Sequence, residues 1–359
     1  MTRKYQHPTD EERAHFPEHG WLKVENVIDP KYIEECMADL WPRLGYDPED
    51  KSTWKETYIK LPRHREVPTH QLCPDAWNKM VEIVGGDDKI DPVRERHYGD
   101  QFVINFGNEY WKSQEELPTE AKGWHTDNDW YRQFLDCSGN ALAIICCFTD
   151  IPARDGGTLV ADDGIPGVCQ YLHDHPGGLD SPFEDTLYTH IPSCKKFTTI
   201  EAKAGDLITH GLLPHTLSQN HLHYARVITN PHVNLVEPFN LSREDGDYTL
   251  CEQVILRALS REYIPEYKPT RPRLEHYPRT AFFKRARVAE ELQRMVEAAK
   301  AKGLDPSSVD SIYLKGAAAM QEHGKRYGYD KEYGPGGVFK WETGDKFENI
   351  VPSSRQMVV

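Results

Sequence analysis

The segment Gly123-Trp124-His125-Thr126-Asp127 places a histidine two residues ahead of an aspartate. On a strand or at its bend, residues i and i+2 emerge on one side of the chain, so an imidazole and a carboxylate can form two corners of a metal site. The pair alone says little. With 17 histidines and 57 acidic residues, chance supplies about three such matches, and the chain has two, the other being His64-Arg65-Glu66. A distant segment adds weight to His125 and Asp127. Gly205-Asp206-Leu207 leads to His210 and His215, then to Ser218 and Asn220, and Arg226 follows His215 by eleven residues inside the apolar run YARVIT. Two histidines and one carboxylate leave coordination positions open, which is the facial arrangement of non-haem Fe(II) oxygenases. A strand-borne arginine offers a planar fork for the far carboxylate of an oxo-acid.

Such residues need a scaffold. Asp29-Pro30 reads as an N-cap and first turn, and Ile33, Cys36, Met37, Leu40 and Trp41 then recur at helical spacing toward Pro42 and Gly45. Just before it, residues 21–24 alternate like a short strand, and residues 47–75 read as polar, Pro-rich and irregular. From about 97 the period becomes two, with Gln101, Val103 and Asn105 on one face. Strands are expected at 141–149, 157–161, 195–201, 206–210 and 224–229, without helices alternating between them, which favours an antiparallel sandwich or barrel over a βαβ fold. Helices return after 247: one through Leu250, Val254, Ala258 and Leu259, one over about 281–302 stopped by Gly303, and one from Asp305-Pro306 to Gly324. The tail from Tyr327 reads as loop. The expected fold class is mostly β with flanking helices (α+β), organised as residues 1–240 carrying the site and a helical extension over 241–359 packed on that domain or at a subunit interface.

The motif set resembles the phytanoyl-CoA dioxygenase-like family of Fe(II)/2-oxoglutarate-dependent oxygenases, from Phe16-Pro17-Glu18-His19-Gly20-Trp21 to about residue 235. Its most specific part is G-D-L followed by H-x4-H, Ser218, Asn220 and Arg226, together with H-x-D upstream. The resemblance implies a double-stranded β-helix (jelly-roll, cupin-like) core, with His125, Asp127 and His215 as iron ligands and Arg226 binding 2-oxoglutarate. His215 matches the family's distal ligand better than His210, because it stands at the family's spacing from the Ser/Asn turn and the arginine. The implied cofactors are Fe(II), 2-oxoglutarate and O2. The implied reaction is hydroxylation, desaturation or a related oxidation of a small organic molecule, with release of succinate and CO2; Asp127 stands where related halogenases carry a small residue.

Gln101 and Asn105, ahead of the site, are candidates for hydrogen bonds to 2-oxoglutarate or substrate. Trp124, Trp130, Tyr131 and Phe134 are candidates for an apolar wall, and equally for ordinary core. His173-Asp174-His175 lies in a Gly/Pro context that favours a turn over a second metal pair, and His221 and His223 read as one face of a strand. Asp129 competes with Asp127, and the His-x-Asp spacing decides for Asp127. His210 reads as core or as a support to the ligands.

Charge narrows the partners. Lys+Arg 43 against Asp+Glu 57 gives a net charge of -14, which argues against nucleic acid or an anionic membrane as a partner. The longest apolar run, Ala141 to Phe148, has eight residues, where a spanning helix needs about 20. The charged first residues carry no leader signal, so a cytoplasmic protein with eight reduced, mostly buried cysteines is expected. The apolar stripes of the C-terminal helices suit either a cover for the core or a homodimer interface. Two rival functions are a non-catalytic jelly-roll module that binds metal or ligand, and a cupin-like metal hydrolase; neither makes use of Arg226.

Overall fold

A capping box opens the chain: the Thr9 hydroxyl accepts from the Glu12 amide (3.1 Å) while the Glu12 carboxylate accepts from the Thr9 amide (2.7 Å). In the computed structural model, which describes residues 3–127, 130–180, 185–275 and 279–328, this starts the first of the helices. They are α1 (Asp10–His19), α2 (Pro30–Met37), α3 (Leu40–Leu44), α4 (Thr69–Leu72), α5 (Pro74–Val84), α6 (Ile165–Asp174), α7 (Leu250–Ala258), α8 (Arg279–Ala301) and α9 (Ala317–Tyr327). The strands are β1 (Trp21–Val24), β2 (Tyr58–Lys60), β3 (Glu66–Pro68), β4 (His97–Gly99), β5 (Val103–Asn105), β6 (Leu142–Cys147), β7 (Thr158–Ala161), β8 (Phe197–Ile200), β9 (Leu207–His210), β10 (His215–Leu217), β11 (Arg226–Thr229) and β12 (His232–Val233).

All strand pairs are antiparallel. The larger sheet runs β1-β9-β6-β11-β5-β2, with β12 also on β6; a smaller one runs β10-β7-β8, and β3 pairs with β4. Strand β6 lies at the centre of the large sheet and is buried along its whole length, which is why its sequence is a continuous apolar run without alternation. Helices hold about twice as many residues as strands, so the chain is a mixed helix-and-sheet fold, and the expectation of a mostly β chain holds only for the scaffold of the site.

Several expected boundaries move for local reasons. The helix from Asp29 breaks after Met37 and resumes as α3, ending where Gly45 takes a left-handed φ of 68°. The polar stretch before residue 75 holds β2, β3 and α4, and α5 follows with Pro74 in its first turn and Ala76, Trp77, Met80, Ile83 and Val84 buried. The third C-terminal helix starts later than expected. Asp305-Pro306 caps only a 3-10 turn (Pro306–Ser308), and α9 begins after Gly316, passes through Gly324 and stops at Gly328. His173 and Asp174 close α6 rather than lying in a loop, and His175 stacks on Tyr171 at 4.0 Å. His221 and His223 are not on a strand; His223 sits at φ 52° ahead of β11.

The C-terminal helices are tied into the body. Arg43 of α3 donates through Nε to Glu291 of α8 (2.8 Å), and His64 Nδ1 lies 2.8 Å from the Ser311 hydroxyl, with all four side chains buried. All eight cysteines are buried. Among the described residues no helix is long and apolar enough to cross a membrane. Asp129 and the tail after Gly328 lie outside the described residues.

Candidate metal centre

His125 and His215 face each other across a single antiparallel bridge, His125 N–H to His215 O at 2.9 Å and His215 N–H to His125 O at 3.0 Å. Residues exchanging both hydrogen bonds project to the same side, which brings the rings to 4.3 Å. Each ring is pinned through Nδ1, to the Gly123 carbonyl (2.7 Å) and the Leu213 carbonyl (3.0 Å) respectively. A carbonyl can only accept, so Nδ1 carries the proton in both rings and Nε2 is left as the basic nitrogen, the tautomer a metal ligand needs.

Both Nε2 atoms point at Asp127. One carboxylate oxygen lies 3.5 Å from His125 Nε2 and the other 3.3 Å from His215 Nε2. Among the described residues this is the one cluster of three ligand-type side chains whose donor atoms all lie within 4.8 Å of one another. Asp127 reaches it from a left-handed backbone, φ 48°, a conformation aspartate tolerates better than most residues. Two bonds to its carbonyl hold that turn, from Asn140 Nδ2 (2.6 Å) and the Tyr131 hydroxyl (3.2 Å). Thr126, between His125 and Asp127, donates to Gln133 Oε1 at 3.0 Å.

The electrostatics follow from this closeness. Burial by itself would raise the Asp127 carboxyl, but the two imidazoles override it and hold it well below the usual carboxylate range. The His215 imidazole is held above its ordinary value because Asp127 outweighs the effect of burial. The Asp127 carboxylate and the His215 imidazole therefore favour each other's charged form.

The large sheet supplies a second set of residues. His210 pairs with Ala143, and Ala143 with His232, so the three side chains form a row across one face of the sheet. By strand alternation Arg226 is on the same face, directly opposite Asn105. The edge of the His210 ring packs on His215 at 4.7 Å, which turns this face toward the triad. Burial pushes His210 down to about 3 and His232 to about 4, so both rings are neutral at neutral pH. His210 Nε2, His232 Nδ1 and Arg226 Nη1 are buried without a hydrogen-bond partner, a concentration of unsatisfied polar atoms that a bound polar ligand would relieve. Arg226 is 1% exposed, and its Nε is fixed by the Gly156 carbonyl at 2.9 Å.

The expected residues are placed unequally. His125, Asp127 and His215 converge, and Arg226 shares a sheet face with the rings that pack on them. Asn105 is nearby, with its side-chain oxygen taken by the Gly107 amide (3.0 Å) and its amide donating to the Ser218 carbonyl (3.4 Å). Gln101 lies half-buried ahead of β5 and is placed by no strand. Of the aromatic residues, Trp124, Tyr131 and Phe134 are buried, and Trp130 packs edge-on against His232 at 4.2 Å.

His232 is absent from the sequence-based set because nothing local marks it: its place depends on a two-residue strand pairing with β6 far away in sequence. Asp155 has a local signal, an Asp-Gly-Gly turn before an apolar strand, whereas Asn140 has none.

No family model matches the chain, and no curated protein does. Among solved structures, the chain is similar to GlcNAc Inducible Gene 2, GIG2 (DUF1479) from Candida albicans, at 12% identity over 83% of each chain with a TM-score of 0.43. It is also similar to HygX from Streptomyces hygroscopicus with nickel, 2-oxoglutarate and hygromycin B bound, at 13% identity over 66% of this chain and 90% of that one, TM-score 0.36. A third similarity is to the epimerase SnoN in complex with Fe3+, alpha ketoglutarate and nogalamycin RO, at 14% identity over 62% and 81%, TM-score 0.34. At these TM-scores the likenesses carry no argument, and the chemistry rests on the site's own geometry.

Proposed function

We propose that this chain is a non-haem Fe(II)/2-oxoglutarate-dependent dioxygenase of the phytanoyl-CoA dioxygenase-like kind, built on a jelly-roll core, that oxidises a small organic molecule. The observation that carries the reading is the triad: two imidazoles with Nδ1 fixed on carbonyls and both Nε2 atoms converging on one carboxylate. Three protein donors suit a divalent metal that keeps positions open, and nitrogen with carboxylate oxygen suits iron. When bound, iron would supply the activation of O2 coupled to decarboxylation of the oxo-acid.

The chain's own residues do the rest. His125 and His215 present Nε2 lone pairs, and Asp127 contributes a negative charge that both rings hold ionised. His210 braces the His215 ring without competing for charge, being neutral. Arg226, held through Nε by a backbone carbonyl, keeps its other nitrogens for a carboxylate, and a fixed guanidinium binds such a group with little loss of side-chain freedom. Trp130, packed against His232, would form an apolar wall beside the site. The small-molecule substrate would enter on that side.

The test is uncoupled turnover. Protein loaded with Fe(II) and given 2-oxoglutarate and O2 without substrate should release succinate slowly, and the Asp127→Ala variant should release none. Equal succinate from both proteins, or none from wild-type protein shown to hold iron, would overturn the assignment.

A further inference from the structure

Asp155 immediately precedes Gly156, the residue whose carbonyl fixes Arg226. Its carboxyl is 0% exposed, and neither oxygen has a hydrogen-bond partner. The turn is firmly set. Asp155 bridges Asn220 in antiparallel fashion, and Asn220 in turn donates to the carbonyls of Asn105 (2.9 Å) and Tyr224 (2.6 Å). Gly156 has no room for a side chain, since a Cβ there would lie 2.3 Å from Asn105 Nδ2. One rigid turn therefore holds a buried acid against a buried guanidinium, and no ion pair within 4.0 Å joins them. Leaving both charges buried and unpaired is costly, so one of the two must find relief elsewhere.

We propose that Asp155 couples proton uptake to the capture of a carboxylate by Arg226: the acid is neutral while the anion is held, and it ionises when the anion leaves. This rests on the reading of Arg226 as the anion site. The charged and titratable groups facing Asp155 are Arg226 from β11, Lys51 from the 3-10 turn at Lys51–Thr53, and Tyr224 ahead of β11. Burial raises the Asp155 carboxyl to about 7, against the pull of Arg226 and then Lys51. An incoming carboxylate neutralises the guanidinium that favours ionised Asp155 and adds a like charge beside it. Both effects raise the acid further, so binding draws in a proton, up to one per ligand. Linkage then fixes the sign: affinity for the carboxylate is greatest below this range and falls as pH rises through it.

The probe is 2-oxoglutarate added to the Fe(II)-saturated protein without oxygen, followed by calorimetry near neutral pH in two buffers of different ionisation enthalpy. The buffer dependence counts protons directly in the wild-type chain. The expected result is net uptake of a fraction of a proton, with affinity about tenfold weaker near pH 8.5 than near pH 6, equivalent to about one pKa unit of coupling. In Asp155→Asn, which keeps shape and a donor, the uptake should vanish and affinity should vary little with pH. Binding without proton exchange in wild type, or unchanged uptake in Asp155→Asn, overturns the coupling and leaves the Arg226 site standing. Equal 2-oxoglutarate affinity in wild type and Arg226→Ala overturns the anion site, and the coupling with it.

Discussion

Among the described residues two arginines are 1% exposed or less, and they are used in opposite ways. Arg43 is saturated: Nε donates to Glu291 (2.8 Å), Nη1 to the Asp100 carboxylate (3.0 Å) and carbonyl (3.1 Å), and Nη2 to the Pro62 carbonyl (2.5 Å). Arg226 has a carbonyl on Nε, a buried Nη1 with no partner, and an unpaired acid beside it. The two His-x-acid matches divide in the same way. His125 and Asp127 converge on each other, whereas His64 turns to Ser311 and Glu291 while Glu66 turns to His323 and Arg326. A buried guanidinium whose nitrogens are all bonded within the protein serves architecture; one left with a directed, unbonded nitrogen is free to take a ligand.

That contrast can be broken by mutation. The largest effect on ligand binding should come from the open cluster: Asp127→Ala or His215→Ala should weaken Fe(II) binding by the folded protein more than about 1000-fold, read by anaerobic equilibrium dialysis. The converse should hold for the closed cluster. Glu291→Ala takes one of the two carboxylates from the buried Arg43, leaving Asp100, and should cost roughly 3 kcal/mol of stability in a denaturant titration while leaving metal affinity per folded molecule unchanged. If Glu291→Ala lost metal binding while folded, the two clusters would not be independent.

Arg226→Ala should weaken 2-oxoglutarate roughly 100-fold, the loss of a charge-assisted fork, with Fe(II) affinity intact. The smallest effect concerns acid. Burial alone would raise Glu66, but His323, Arg63 and Arg326 together hold it at about 2, and burial lowers His323 although Glu66 opposes this. A depressed carboxylate adds stability above its unfolded value near 4.5 and loses it as pH falls toward 2. A depressed histidine also loses stability as pH falls below its unfolded value near 6.5. Both therefore act together on acidification, and His323→Gln, which removes one and relaxes the other, should show a smaller loss between about pH 7 and pH 3 than wild type when both are unfolded in urea.

Legibility followed the same division. The clustering of His125, Asp127 and His215 could be read because its residue types and spacings stand on two short segments. Strands β6, β7, β8, β9 and β11 could be read because they lie between Gly, Pro and Asp turns; β10, three residues long, carries no such pattern. Helix α1 could not, since Phe16 is its only buried residue and gives no stripe. Helices α5 and α6 carried a signal that went unread: Pro in the first turn, followed by buried residues three and four apart. His232 and Asp155 owe their roles to strand pairing and turn packing between segments far apart, and a single sequence does not display such contacts.

The central claim is that the triad and Arg226 together hold iron and an oxo-acid. Metal-free protein titrated without oxygen, first with Fe(II) and then with 2-oxoglutarate, tests it directly through the visible metal-to-ligand charge-transfer band. The account predicts a band that needs both additions, is absent in His215→Ala, and requires far more 2-oxoglutarate in Arg226→Ala. A folded, Fe(II)-loaded wild-type protein that gives no band would contradict it.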